Sequence, residues 1–139
     1  MVKALKASIF FLLFVASLSS CKKVVEDKKR NLLIQIMTDG TWRVTGFLEG
    51  TVDITSEFTG YNFQFKENGT VTSNHNSIID QGAWVGDVNN YSISSNFPSA
   101  VNPLLKFNGV WKLIDSSNTT VKAEMNTSTG KKILNLAKN

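Results

Sequence analysis

The 139-residue chain has one cysteine, Cys21, one histidine, His75, and two prolines, Pro98 and Pro103. A single cysteine excludes an intrachain disulfide, so the fold must rest on its apolar core. A single histidine excludes the usual His- and Cys-rich metal centres, which gather several ligands; neither a metal nor another cofactor is expected. Nothing matches a hydrolase nucleophile elbow. Gly82 to Gly86 lacks the lysine and following helix of a phosphate loop. Charge of one sign is also scarce, with 15 Lys and Arg against 11 Asp and Glu. No basic stripe interleaved with aromatics marks a nucleic-acid surface. No apolar run reaches the ~20 residues of a membrane-spanning helix. These absences point away from an enzyme.

The first residues, Met1-Val2-Lys3-Ala4-Leu5-Lys6, put two cations ahead of the uncharged run Ala7 to Leu18. A charged start, a short apolar run and then small residues read as an export signal. The closing residues Leu18-Ser19-Ser20-Cys21 resemble the lipobox of bacterial lipoproteins. That resemblance implies cleavage before Cys21 and a lipid carrying fatty acids such as palmitate on its sulfur, with residues 1–20 as signal peptide. Stable anchoring takes two acyl chains or more. The membrane is therefore an expected partner. Lys22, rather than the aspartate associated with inner-membrane retention, points to the outer membrane of the cell envelope.

Behind Cys21 the charges concentrate. Lys22, Lys23, Lys28, Lys29 and Arg30 stand with Glu26 and Asp27, so residues 21–30 read as a lipidated tether, either solvated or drawn to anionic headgroups. From Val24 to Met37 the pattern turns helical, since Leu32 and Ile36, and Leu33 and Met37, fall four apart. Gly40 can take the left-handed conformation that ends a helix.

Beyond Gly40 the period becomes two. Trp42, Val44 and Leu48 share a face, with Gly46 in register. Tyr61, Phe63 and Phe65 alternate with polar residues, and Asn68-Gly69 after them is a strong hairpin signal. Further strands begin at Val71, at Gly82-Ala83-Trp84, at Tyr91 and Ile93, at Trp111 and Leu113, at Val121 to Met125, and at Ile133 to Leu136. About eight short strands joined by tight turns predict an all-β fold in which sequential strands pair up and down. Closure into a barrel would remove the edges that invite aggregation. Residues 97–105, with both prolines, predict a loop or a single helical turn across one end.

A helix, then Gly40-Thr41-Trp42 opening the first strand, then an eight-strand meander resembles the lipocalin-like domains of bacterial lipoproteins, over residues 31–139 with their N-terminal helix. The resemblance implies that Trp42 closes one end of the barrel beneath the helix. The arginine that the family carries near the end of the last strand is absent here, and Lys131 and Lys132 are the nearest cations.

Two uses of such a barrel are open. Phe63, Phe65, Trp84, Tyr91 and Trp111 either line a pocket for a small apolar ligand, as barrels of this size can, or fill the interior. With a filled interior, function would fall to exposed loops such as 47–60 and 96–106, as a protein-interaction or inhibitor module. Glu49, Asp53 and Glu57 would need a deep common cleft to act as a catalytic set, and their Gly- and Thr-rich surroundings read as a solvated loop. His75, between Asn74 and Asn76, reads as an exposed turn residue.

Overall fold

A computed structural model describes residues 21–139. The expected signal peptide, residues 1–20, lies outside the described residues. Residues 21–38 form one helix, α1. The stretch read as a tether is therefore its first half. Opposite charges four apart, Lys22 with Glu26, Lys23 with Asp27 and Glu26 with Arg30, are spaced to support helix in water. Gly40 ends the segment at φ +80°. No described helix is long and apolar enough to cross a membrane.

Nine strands follow: β1 (Trp42–Glu49), β2 (Val52–Asp53), β3 (Asn62–Phe65), β4 (Thr70–His75), β5 (Ile78–Asp87), β6 (Ser92–Asn96), β7 (Gly109–Ser116), β8 (Thr120–Thr127) and β9 (Gly130–Lys138). Neighbours in sequence pair antiparallel from β3 to β9. The circle closes where β1 pairs with β9, from Trp42 opposite Lys138 to Glu49 opposite Lys132. β2 only doubles back on the end of β1. The result is a closed, eight-strand, up-and-down antiparallel barrel with an N-terminal helix. The β1–β3 seam is thin, a single pair of Trp42 with Phe63. The 3-10 turn Thr55–Phe58 lies in the link between these two strands.

The strand directions define two ends. α1, the turns at 66–69, 88–91 and 117–119, and the C-terminus share the helix end. β2, the turn Thr55–Phe58, the turns at 76–77 and 128–129, and residues 97–108 share the far end. Residues 97–108 contain a second 3-10 turn, Leu104–Phe107, which meets the expectation of a helical turn across one end.

The alternation holds in most strands. Phe63 and Phe65 in β3, Val71 and Ser73 in β4, and Val121 and Ala123 in β8 are buried in steps of two. β1 departs from it. Its register shifts between Val44 and Gly46, a bulge that turns the rest of the strand over. Phe47, fully buried, therefore takes the inward place expected for Leu48, which is half-buried. Close approach is built in at Gly82, where a Cβ would strike the carbonyl of Asn96. At Gly86, a Cβ would come within 3.1 Å of Leu33 of the helix.

Candidate functional site

The interior was the first candidate. Phe63 and Phe65 are buried in it, as are Trp84 and Trp111. Their neighbours fill the far half with rings. Phe63 stacks on Phe107 at 4.4 Å, Phe47 stacks on Phe58 at 5.0 Å, and Trp111 meets Phe47 edge-on at 5.5 Å. Toward the helix end, Met37, Ile93, Leu113, Leu134 and Leu136 face what is left, a void of about 20 Å³. A water needs roughly 10–15 Å³ and a drug-sized ligand roughly 300–1,000 Å³. The aromatics are filling.

Tyr91 does not join them. It is 57% exposed and sits in the β5–β6 turn with φ +47°, outside the barrel. Asp87 accepts from the backbone N–H of Asn89 and Asn90, which folds that turn tightly. Hydrogen bonding to the Asn90 side chain holds the Asp87 carboxyl below its ordinary pKa.

The three tryptophans each satisfy a carbonyl that no ladder uses. Trp42, fully buried at the helix end, donates through Nε1 to the Met37 carbonyl at 2.9 Å, one of the orphan acceptors of a helix C-terminus. Trp84 donates to the Lys66 carbonyl in the β3–β4 turn at 2.8 Å. Trp111 donates to the Phe107 carbonyl at 2.9 Å. The cation near the end of the last strand is Lys138, not Lys131 or Lys132. Its Nζ lies 5.4 Å from the centre of the Trp42 ring and 2.9 Å from Asp39. Sequence spacing could have found it, because Lys138 falls opposite Trp42 once β1 and β9 are paired.

The far end brings together the two loops singled out in the sequence. Lys106 lies 2.9 Å from Glu57 and 3.5 Å from Glu49, and Lys132 lies 3.0 Å from Glu49. Hydrogen bonding to Lys132 holds the Glu49 carboxyl below its ordinary pKa. Hydrogen bonding to Glu57 raises Lys106. Asp53 turns away: it accepts from the Thr55 hydroxyl at 2.6 Å and from the Thr55 amide. Glu49 and Glu57 are therefore paired with lysines, and no deep cleft gathers them with Asp53. Asn108 adds a clasp, accepting from the Phe97 amide at 2.8 Å and donating to the Phe97 carbonyl at 3.1 Å. Around these ties Val52, Val101 and Leu105 are exposed, Val101 at 77%.

His75 is not a free turn residue. It ends β4 opposite Ile78, the turn being Asn76 and Ser77 with φ of 52° and 68°. Its ring stacks on Tyr61 at 4.2 Å, nearly parallel. Burial, with Asp80 nearby, raises the Tyr61 pKa. Among the described residues no group of three or more His, Cys, Asp or Glu could hold a metal. Cys21 is exposed in α1.

The helix end carries an open groove of about 250 Å³, lined by Leu32, Leu33, Ile36, Val88, Tyr91 and Leu113, with Lys29 and Ser116 also on its wall. A second, more polar groove of about 350 Å³ is bordered by Leu32, Gln35, Ile36, Asp39 and Lys138. Sequence reasoning missed both, because each forms only where the helix lies across the barrel mouth.

No protein-family model matches the chain, and no curated protein matches it. Among solved structures it is similar to a DUF4847 family protein from Bacteroides vulgatus, with a TM-score of 0.59 and 16% identity. The match covers 77% of this chain and 97% of that one. At that identity the likeness is one of fold.

Proposed function

We propose that this protein is a lipid-anchored, lipocalin-like module of the cell envelope that performs no chemistry and acts through its outer surface. The observation that carries the surface reading is the filled interior, with about 20 Å³ free. A ligand carrier would need a cavity many times larger. The ordered far-end surface favours a protein partner, because its exposed Val52, Val101 and Leu105 are held on loops tied by Lys106 and Asn108. Apolar side chains on a fixed surface lose little freedom on binding.

The anchor rests on Leu18-Ser19-Ser20-Cys21. Cys21 lies in α1 twelve residues ahead of Leu33, the first buried residue among those described. At 1.5 Å per residue these twelve residues span roughly 18 Å of helix. Outer-membrane placement follows from Lys22 behind the cysteine.

Two measurements test the reading. Denaturing intact mass spectrometry of protein from its native membrane is expected to give a chain beginning at a di- or triacylated Cys21. An unmodified chain beginning elsewhere removes the anchor. For the surface, a photo-crosslinking residue at Val101 is expected to trap a defined partner in cells, while one at exposed Val85 on the barrel wall does not. Equal trapping at Val101 and Val85, or none at Val101, removes the far-end surface.

A further inference from the structure

Exposed apolar residues and cations meet along one stripe of α1. Lys22, Val25, Lys29, Leu32 and Ile36 recur at steps of three and four, which keeps them on one side of a helix. Val25 is 51% exposed and Leu32 55% exposed. This stripe runs straight into the apolar groove, since Lys29, Leu32 and Ile36 all line it. Tyr91, with its ring exposed, continues the same surface onto the barrel rim. Asp27 lies about half a turn away from the stripe at 3.6 residues per turn. Residues 22–30 carry five cations against the two acids Glu26 and Asp27.

We propose that α1 lies flat against an anionic bilayer on its Lys22, Val25, Lys29 and Leu32 stripe, with the groove and Tyr91 turned to the headgroup boundary. Charge complementarity selects this occupant: cations flanking a short apolar stripe suit anionic headgroups above acyl chains. Position supports it too, because Lys22, the first residue of the stripe, directly follows Cys21, where the anchor would enter the bilayer. The stripe is too short to hold a protein on a membrane alone. Beside an anchor it needs only to win an intramolecular contact, for which a modest attraction is enough. The barrel would then rest with its helix end on the membrane and present Val52, Val101 and Leu105 away from it. The anchoring reading supplies the nearby membrane, but the surface chemistry of α1 is independent of it.

The test uses the chain from residue 21 with Cys21→Ser. Among the described residues every buried core residue lies between Leu33 and Leu136, so this chain keeps the whole described core. Its partition is measured by co-sedimentation with vesicles of phosphatidylcholine alone and of phosphatidylcholine with phosphatidylglycerol. Binding to the anionic vesicles only is expected, weakening about fivefold for each of Lys22→Ala and Lys29→Ala. It should vanish at about 1 M salt, where screening acts within about 3 Å. Leu32→Asp and Tyr91→Asp are each expected to abolish it and Ile79→Asp to leave it unchanged; all three positions are exposed, so the fold survives. No binding, equal binding to neutral vesicles, or insensitivity to Leu32→Asp and Tyr91→Asp overturns the proposal. The anchor stands or falls separately, by the mass of the native N-terminus.

Discussion

At the far end, Phe58 and Phe107 seal the barrel by packing on Phe47 and Phe63, and Lys106 and Asn108 tie the covering loops to each other and to β1. At the helix end, α1 enters the core through Leu33 and Met37 alone, with Ile34 and Ile36 half-buried beside them. Its polar ties are the Trp42 hydrogen bond and the pair of Lys138 with Asp39. Both ends exclude water from the same core. One is a plug continuous with the barrel wall. The other is a lid resting on apolar contacts, with open grooves on its flanks. A lid of that kind can adjust to a surface beneath it, while the plug holds a fixed shape for a partner.

The comparison breaks most strongly at Phe47. Its truncation to Ala removes a ring stacked on Phe58 and edge-on to Trp111, and is expected to cost about 3–5 kcal/mol, read as a fall in the denaturant midpoint of the whole barrel. Met37→Ala acts on the lid. A loss near the lower bound of about 2–5 kcal/mol is expected, and amide exchange should speed up in residues 33–38 well before it does in β3 to β9. If the two variants exchange alike, the ends are not independent. Trp42→Phe keeps a smaller aromatic ring and deletes the donor to Met37, leaving that carbonyl unpaired at a cost of about 1–3 kcal/mol on top of the lost packing, again concentrated in α1.

The smallest effect concerns the ion pairs. Glu49 is held below its ordinary pKa of 4.5, so its contribution is present above that value and lost as pH falls through the lowered one. Lys106 is raised above 10.5, so its contribution is present below that value and lost as pH rises through the raised one. Partly exposed pairs are worth about 0–1 kcal/mol each. Glu49→Gln is therefore expected to shift stability slightly at neutral pH and to flatten the acid limb of a pH–stability curve. An unchanged acid limb would show that Glu49 has no part in pinning the far-end loops.

Local signals carried much of the fold. The helix end at Gly40, the Asn68-Gly69 hairpin and the alternating runs of β3, β7 and β8 are properties of neighbouring residues, and they held. In that hairpin the Asn68 side chain accepts from the Thr70 amide, a turn the sequence alone dictates. What could not be read depended on partners distant in sequence. The bulge in β1 exists because of its pairing with β9, and without it Phe47 points outward. Ile78 to Gln81 lacks alternation, yet is strand because β4 pairs with it. Tyr91 looked like a strand residue, but the Asp87 turn takes it out of the sheet. The tether became helix, and the grooves arise only when that helix crosses the barrel mouth. Of the aromatic set, four residues lie in the core, and the volume left among them is a property of packing that no pattern encodes.

The filled barrel is tested most directly at Ala123, which is buried and borders the residual void. Measuring the unfolding free energy of Ala123→Leu asks whether there is room inside. With about 20 Å³ available, the added methylenes should overpack the core and lower stability by about 1–3 kcal/mol. A neutral or stabilising substitution would reveal the space of a ligand cavity and contradict a protein that works through its surface.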